Sequence, residues 1–124
     1  MFKLNKSQML KGVLEGCILA VIEERPTYGY ELYLRLTDQG LQAVSEGSIY
    51  PVLLRLQKED LIEGTFVKSA NGPNRKYYSL TDKGKQALKH FKQEWTVLSE
   101  SVSQIVLKKG GRGDDDHHRI RRAK

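Results

Sequence analysis

A chain of 124 residues, 39% hydrophobic and 29% charged, suits one domain with one modest core. It has no run near the roughly 18 apolar residues of a membrane span, its opening MFKLNKSQMLKG lacks a signal peptide's apolar stretch, and its single cysteine cannot close an internal disulfide. The expectation is a cytoplasmic protein with no membrane partner, and the net charge of +6 invites a polyanion.

The placement of that charge matters. Residues 1–107 hold 14 Lys/Arg against 12 Asp/Glu, while residues 108–124 hold 7 against 3. Most of the excess lies in the tail, so total charge alone does not define a nucleic-acid-binding domain.

In chain order, Leu10, Val13, Leu14, Cys17, Ile18 and Val21 recur at helical spacing and predict a first helix with one buried face, on which Cys17 is inert packing. Pro26 interrupts it. Thr27 is the expected N-cap of a short second helix faced by Gly29, Leu32, Tyr33 and Leu36, and Gly40 ends it.

The third segment, SEGSIYPVLLRLQK, keeps helical spacing at Ile49, Leu53 and Leu56, with Val52 beside them, despite Gly47 and Pro51 near its start. Proline lacks an N–H, but the N–H groups of a first turn have no intrahelical partner anyway. The segment therefore reads as a helix start. With Ser48 as cap, Pro51 costs little; with Ser45 as cap, a slight bend is expected.

Beyond Leu61, Gly64–Ser69 and Arg75–Leu80 are short β-favouring runs around the turn residues Asn71-Gly72-Pro73-Asn74, a hairpin with Lys68, Arg75 and Lys76 near its tip. Tyr78 and Leu80 share one face of the second strand. Thr81 then caps a long last helix, with Asp82 in its first turn. Its apolar positions Leu88, Phe91, Trp95, Leu98, Val102 and Ile105 step by 3, 4, 3, 4, 3, the narrow seam of a helix that meets another helix. Gly110-Gly111 ends it, and residues 110–124 are expected to be a disordered tail. His117, His118 and Asp114–Asp116 in that tail make no metal cage, and no metal or other cofactor is expected.

Three helices, a two-stranded wing and a helix form the order of a winged helix-turn-helix (residues 1–81) followed by a dimerisation helix (residues 82–109), mainly α with a small β-hairpin. In that arrangement the third helix presents its first turn to DNA. Its open N–H groups and positive dipole end suit phosphate. Small Ser48 and Gly47 allow close approach, and Arg55 and Lys58 supply cations away from the apolar face. No nucleophile–base pair, paired carboxylates or phosphate loop appears, so no catalytic residue is assigned and an enzyme is not expected.

The blocks YGYELYLRL, SEGSIYPVLLRLQKEDLIEG and GPNRKYYSLTDKG, in this order and spacing from about Val13 to Leu98, resemble the PadR family of bacterial transcriptional regulators, in its short subgroup with a single C-terminal helix. The resemblance implies a homodimeric repressor on double-stranded DNA with a pseudo-palindromic operator. The positions matching the family's DNA-contacting elements are Ser48, Tyr50, Pro51 and Arg55 on the helix and Asn74, Arg75 and Lys76 on the wing. It also implies release by a small aromatic or planar inducer, with Trp95 matching a tryptophan that lines a cavity between subunits. On physical grounds alone Trp95 is a packed seam residue. The alternative is a winged helix that binds a protein partner, or DNA without sequence preference or ligand response, since fold alone does not choose.

Overall fold

The structure is a computed structural model that describes Leu10 and residues 13–108. Its elements are α1 (Leu14–Glu24), β1 (Thr27–Tyr28), α2 (Gly29–Asp38), α3 (Glu46–Lys58), β2 (Ile62–Val67), β3 (Arg75–Leu80) and α4 (Asp82–Val106). This is the expected winged helix-turn-helix with a long C-terminal helix. The hairpin gains a third antiparallel strand, in the order β1-β3-β2. One compact unit ends at Lys92 and a second begins at Gln93. The expected tail, residues 110–124, lies outside the described residues.

The core of the first unit draws on every helix. α1 buries Leu14, Ile18, Leu19 and Ile22, while Val13, Cys17 and Val21 are only half-buried. The buried face is thus rotated by about one residue, roughly 100°, from the one expected. The cause is composition: α1 is apolar around most of its girth, so spacing alone does not single out a face. Burial raises the Cys17 thiol pKa, which keeps it in its weakly nucleophilic form.

Thr27 is not the cap of α2. It sits on β1 opposite Tyr78, and the cap position falls to Tyr28, whose side chain makes no capping bond. Thr27 is buried, and its hydroxyl donates to the Arg25 carbonyl at 2.8 Å and accepts from Arg35 Nη1 at 2.8 Å, so nothing polar is orphaned. A two-residue strand carries too few positions for alternation to reveal.

Ser45 caps α3: its hydroxyl accepts from the Ser48 N–H at 3.2 Å, and Ser48 Oγ accepts from the Ser45 N–H at 3.3 Å. Pro51 therefore lies inside the helix, where it leaves the Gly47 carbonyl without its usual donor. Both residues face solvent. Ile49, Val52, Leu53 and Leu56 are buried as expected.

The far end of α3 closes with the Asp60 N–H on the Gln57 carbonyl and the Leu61 N–H on the Leu56 carbonyl, with Asp60 left-handed at φ 68°. Thr81 caps α4, accepting from the Gly84 N–H at 3.0 Å and donating to the Asp60 carbonyl at 2.6 Å. A Cβ at Gly84 would stand 2.0 Å from the Leu61 carbonyl oxygen, so only glycine permits this approach between the start of α4 and the end of α3.

Candidate nucleic-acid interface

At 100° per residue, the face of α3 opposite its core carries Gly47, Pro51, Leu54 and Lys58. Ser48 and Arg55 flank it on one side, Tyr50 and Gln57 on the other. All are exposed except Gln57, which is half-buried.

The flanking side chains are held. Tyr50 donates to Glu46 Oε2 at 3.0 Å, and its ring lies so close to Gly29 that a Cβ there would stand 2.5 Å from Tyr50 Cε1. Its pKa is raised, first by desolvation and then by the bond to Glu46, so Tyr50 remains a neutral phenol. Arg55 reaches across to α1, with Nε donating to Glu15 Oε2 at 2.7 Å. Gln57 Oε1 accepts from Lys76 Nζ at 3.3 Å.

The wing is organised around its aromatics. The Arg75 guanidinium lies 4.6 Å from the centre of the Tyr28 ring, which meets Tyr77 edge-on at 5.3 Å. The Lys76 ammonium sits 5.6 Å from the Tyr78 ring centre and 5.7 Å from that of Phe66. Between α3 and the wing lies an open cleft of ≈ 290 Å³, lined by Tyr28, Gly29, Tyr30, Tyr50, Arg75, Lys76 and Tyr78. Helix face, cleft and wing form one surface with two cations fixed over rings.

Of the residues expected on this surface, Tyr50, Pro51, Arg75 and Lys76 come together around the helix and the cleft. Asn74 is exposed just before β3. Ser48 is spent in the cap, and Arg55 is turned towards Glu15. Sequence reasoning missed Leu54, Gln57 and Phe66, the last 68% exposed on β2. The wheel that places Ile49 inside also places Leu54 outside, so that signal was present. Gln57 owes its position to Lys76, a contact of the folded chain.

The seam expected on α4 splits. Leu88 is 1% exposed and belongs to the core of the first unit, so it offers no surface to a partner and leaves the interface list. The Phe91 ring packs on Gly16 of α1 in that same unit. In the second unit Trp95, Leu98, Val102 and Ile105 are all exposed, Trp95 to 46%.

A family model described as the transcriptional regulator PadR-like family matches residues 18–90, from within α1 through the wing into α4. The chain belongs to the PadR-like family. A PadR-like transcriptional regulator from Bacillus cereus is 56% identical over 82% of this chain and 99% of its own, with a TM-score of 0.75. A Streptococcus transcriptional regulator is 44% identical over 79% and 96%, at 0.71. A PadR family regulator from Clostridium difficile is 30% identical over 77% and 99%, at 0.70. An uncharacterized protein of Lysinibacillus sphaericus is 31% identical over 103 residues, 82% of this chain and 94% of that one. As a PadR-like protein the chain is a DNA-binding transcriptional regulator of a generally non-enzymatic family. Among its described residues no helix is long and apolar enough to cross a membrane.

Proposed function

We propose that this PadR-like regulator acts as a homodimer that binds a pseudo-palindromic operator and represses transcription until a small aromatic or planar ligand binds. The observation that carries the dimer is the exposed stripe Trp95, Leu98, Val102 and Ile105 on α4. An apolar stripe at seam spacing, left open among the described residues, is covered by a second copy of the same helix. Half-sites then lie about one helical turn, near 34 Å, apart.

α3 enters the major groove with Ser48, Tyr50 and Pro51 at its leading turns and Arg55 further along, while Asn74, Arg75 and Lys76 of the wing meet the neighbouring backbone. The wing contacts set affinity and register; the helix sets sequence. In the dimer the two Trp95 indoles border the ligand, stacking on a flat or cationic ring.

The test is a fluorescence-anisotropy titration of DNA from upstream of the protein's own gene against a scrambled duplex at two salt concentrations. Upstream binding tighter by about a thousandfold, surviving moderate salt, is the expected result. Equal, weak binding that vanishes with salt would refute sequence-specific regulation at that site.

A further inference from the structure

Most polar side chains of the recognition helix are already bonded inside the chain. Ser45 and Ser48 bond each other, Tyr50 bonds Glu46, Arg55 bonds Glu15, and Gln57 bonds Lys76. These bonds fix the direction of each side chain and occupy part of its hydrogen-bonding capacity. The outer face carries Lys58 at its far end and, between it and Gly47, two apolar side chains: Pro51, and Leu54 at 57% exposure. A lone exposed leucine is ordinary on a protein surface. Leu54 lies at the middle of the outer face of α3, three residues from Pro51 and four from Lys58.

We propose that Leu54, seconded by Pro51, reads thymine through its 5-methyl group, so that apolar contact rather than hydrogen bonding supplies the main base discrimination of α3. The inference rests on the proposed reading of α3 as the major-groove helix. The major groove is where the thymine methyl projects, and a side chain of this kind packs on it. Lys58 on the same face and Arg75 and Lys76 across the cleft give the phosphates on either side their counter-charges, so the occupant of this apolar strip is DNA rather than a protein. Pro51 and Leu54 are separated by about 4.5 Å along the helix axis, close to the roughly 3.4 Å step of one base along a strand. The pair therefore fits adjacent base pairs, and each half-site carries one or two thymines whose methyl groups matter.

The experiment starts from duplexes selected by the wild-type protein out of a random library. The selected site is resynthesised with single thymines replaced by deoxyuridine, which removes the 5-methyl and nothing else. Wild-type protein is expected to lose about fourfold in affinity at one or two positions per half-site, the effect of one buried methyl group. Leu54→Ala, at an exposed position, keeps its helical circular dichroism and binds the unmodified site more weakly by a similar factor. It also loses the response to deoxyuridine at one of those positions. Methyl removal without effect anywhere, or an unchanged response in Leu54→Ala, overturns the inference while leaving the operator intact. A library that yields no preferred sequence overturns sequence-specific binding itself, and this inference with it.

Discussion

The surface formed by α3 and the wing and the outer half of α4 are both exposed, but in opposite ways. On the first, side chains of the helix and the wing are braced by partners in the same chain: Tyr50 by Glu46 and Gly29, Lys76 by Gln57 and two rings, Arg75 by Tyr28. On the second, Trp95, Leu98, Val102 and Ile105 stand open to solvent. Bracing lowers the ordering cost that a surface incurs on binding. A contiguous apolar stripe instead marks a surface whose partner is missing. On the proposed function, the first region is prepared for a ligand unlike itself and the second is half of an interface.

The strongest way to separate the two is Leu98→Asp, which places a charge in the open stripe of the second unit. Analytical ultracentrifugation should show the mass falling from twice to once the 14.2 kDa of the chain. Operator affinity should fall by about a hundredfold or more, because the second half-site loses its tether, while thermal unfolding of the monomer remains cooperative. An unchanged mass would remove the stripe from the interface.

Gly84→Ala attacks the other region from beneath. Its Cβ would meet the Leu61 carbonyl oxygen at 2.0 Å, where α4 is pinned against the end of α3. A backbone atom cannot swing aside as a flexible side chain does. Urea unfolding should show a loss of about 2–3 kcal/mol, whereas exposed Lys85→Ala should stay within about 0.5 kcal/mol of the parent. A neutral Gly84→Ala would show that the two elements separate without cost.

Within the braced surface, the proposed DNA contact is expected to use Arg75 and Lys76 differently. Arg75→Ala should weaken binding to all sequences and reduce the slope of log K against log salt by about 0.9, one phosphate contact. Lys76→Met keeps the stem over the rings but loses the bond to Gln57. It should therefore couple to Gln57→Ala, with a double variant weaker by no more than the worse single one. Additive losses, measured by the same anisotropy titration, would make Lys76 a phosphate contact independent of the helix.

Element order, the α3 core face and the Thr81 cap were legible because helical spacing and cap chemistry are local. The pairs that prepare the surface were not. Gln57 meets Lys76 across 19 positions and Arg55 meets Glu15 across 40. Charge, helix face and family resemblance assigned Arg55 to DNA; only the fold shows the carboxylate it faces. Leu88 illustrates the same limit, since a 3-4 rhythm on α4 runs unbroken from a position inside the core to positions outside it. Spacing reports which face is apolar, not what covers it.

The smallest effect concerns the joint that ends α3. Asp60 holds φ 68°, a conformation that costs an L-residue energy, and its carboxylate lies just past a helix C-terminus, where the dipole disfavours negative charge. Asp60→Gly relieves both and should raise stability by about 0.5 kcal/mol, after subtracting the entropy that glycine adds to the unfolded chain. Asp60→Asn keeps the tolerance for left-handed backbone and relieves only the charge. Urea midpoints that rise equally for both variants would assign the cost to the dipole. A larger rise for glycine would assign it to the backbone. DNA affinity should stay fixed in either case, because Asp60 closes α3 without standing on its outer face.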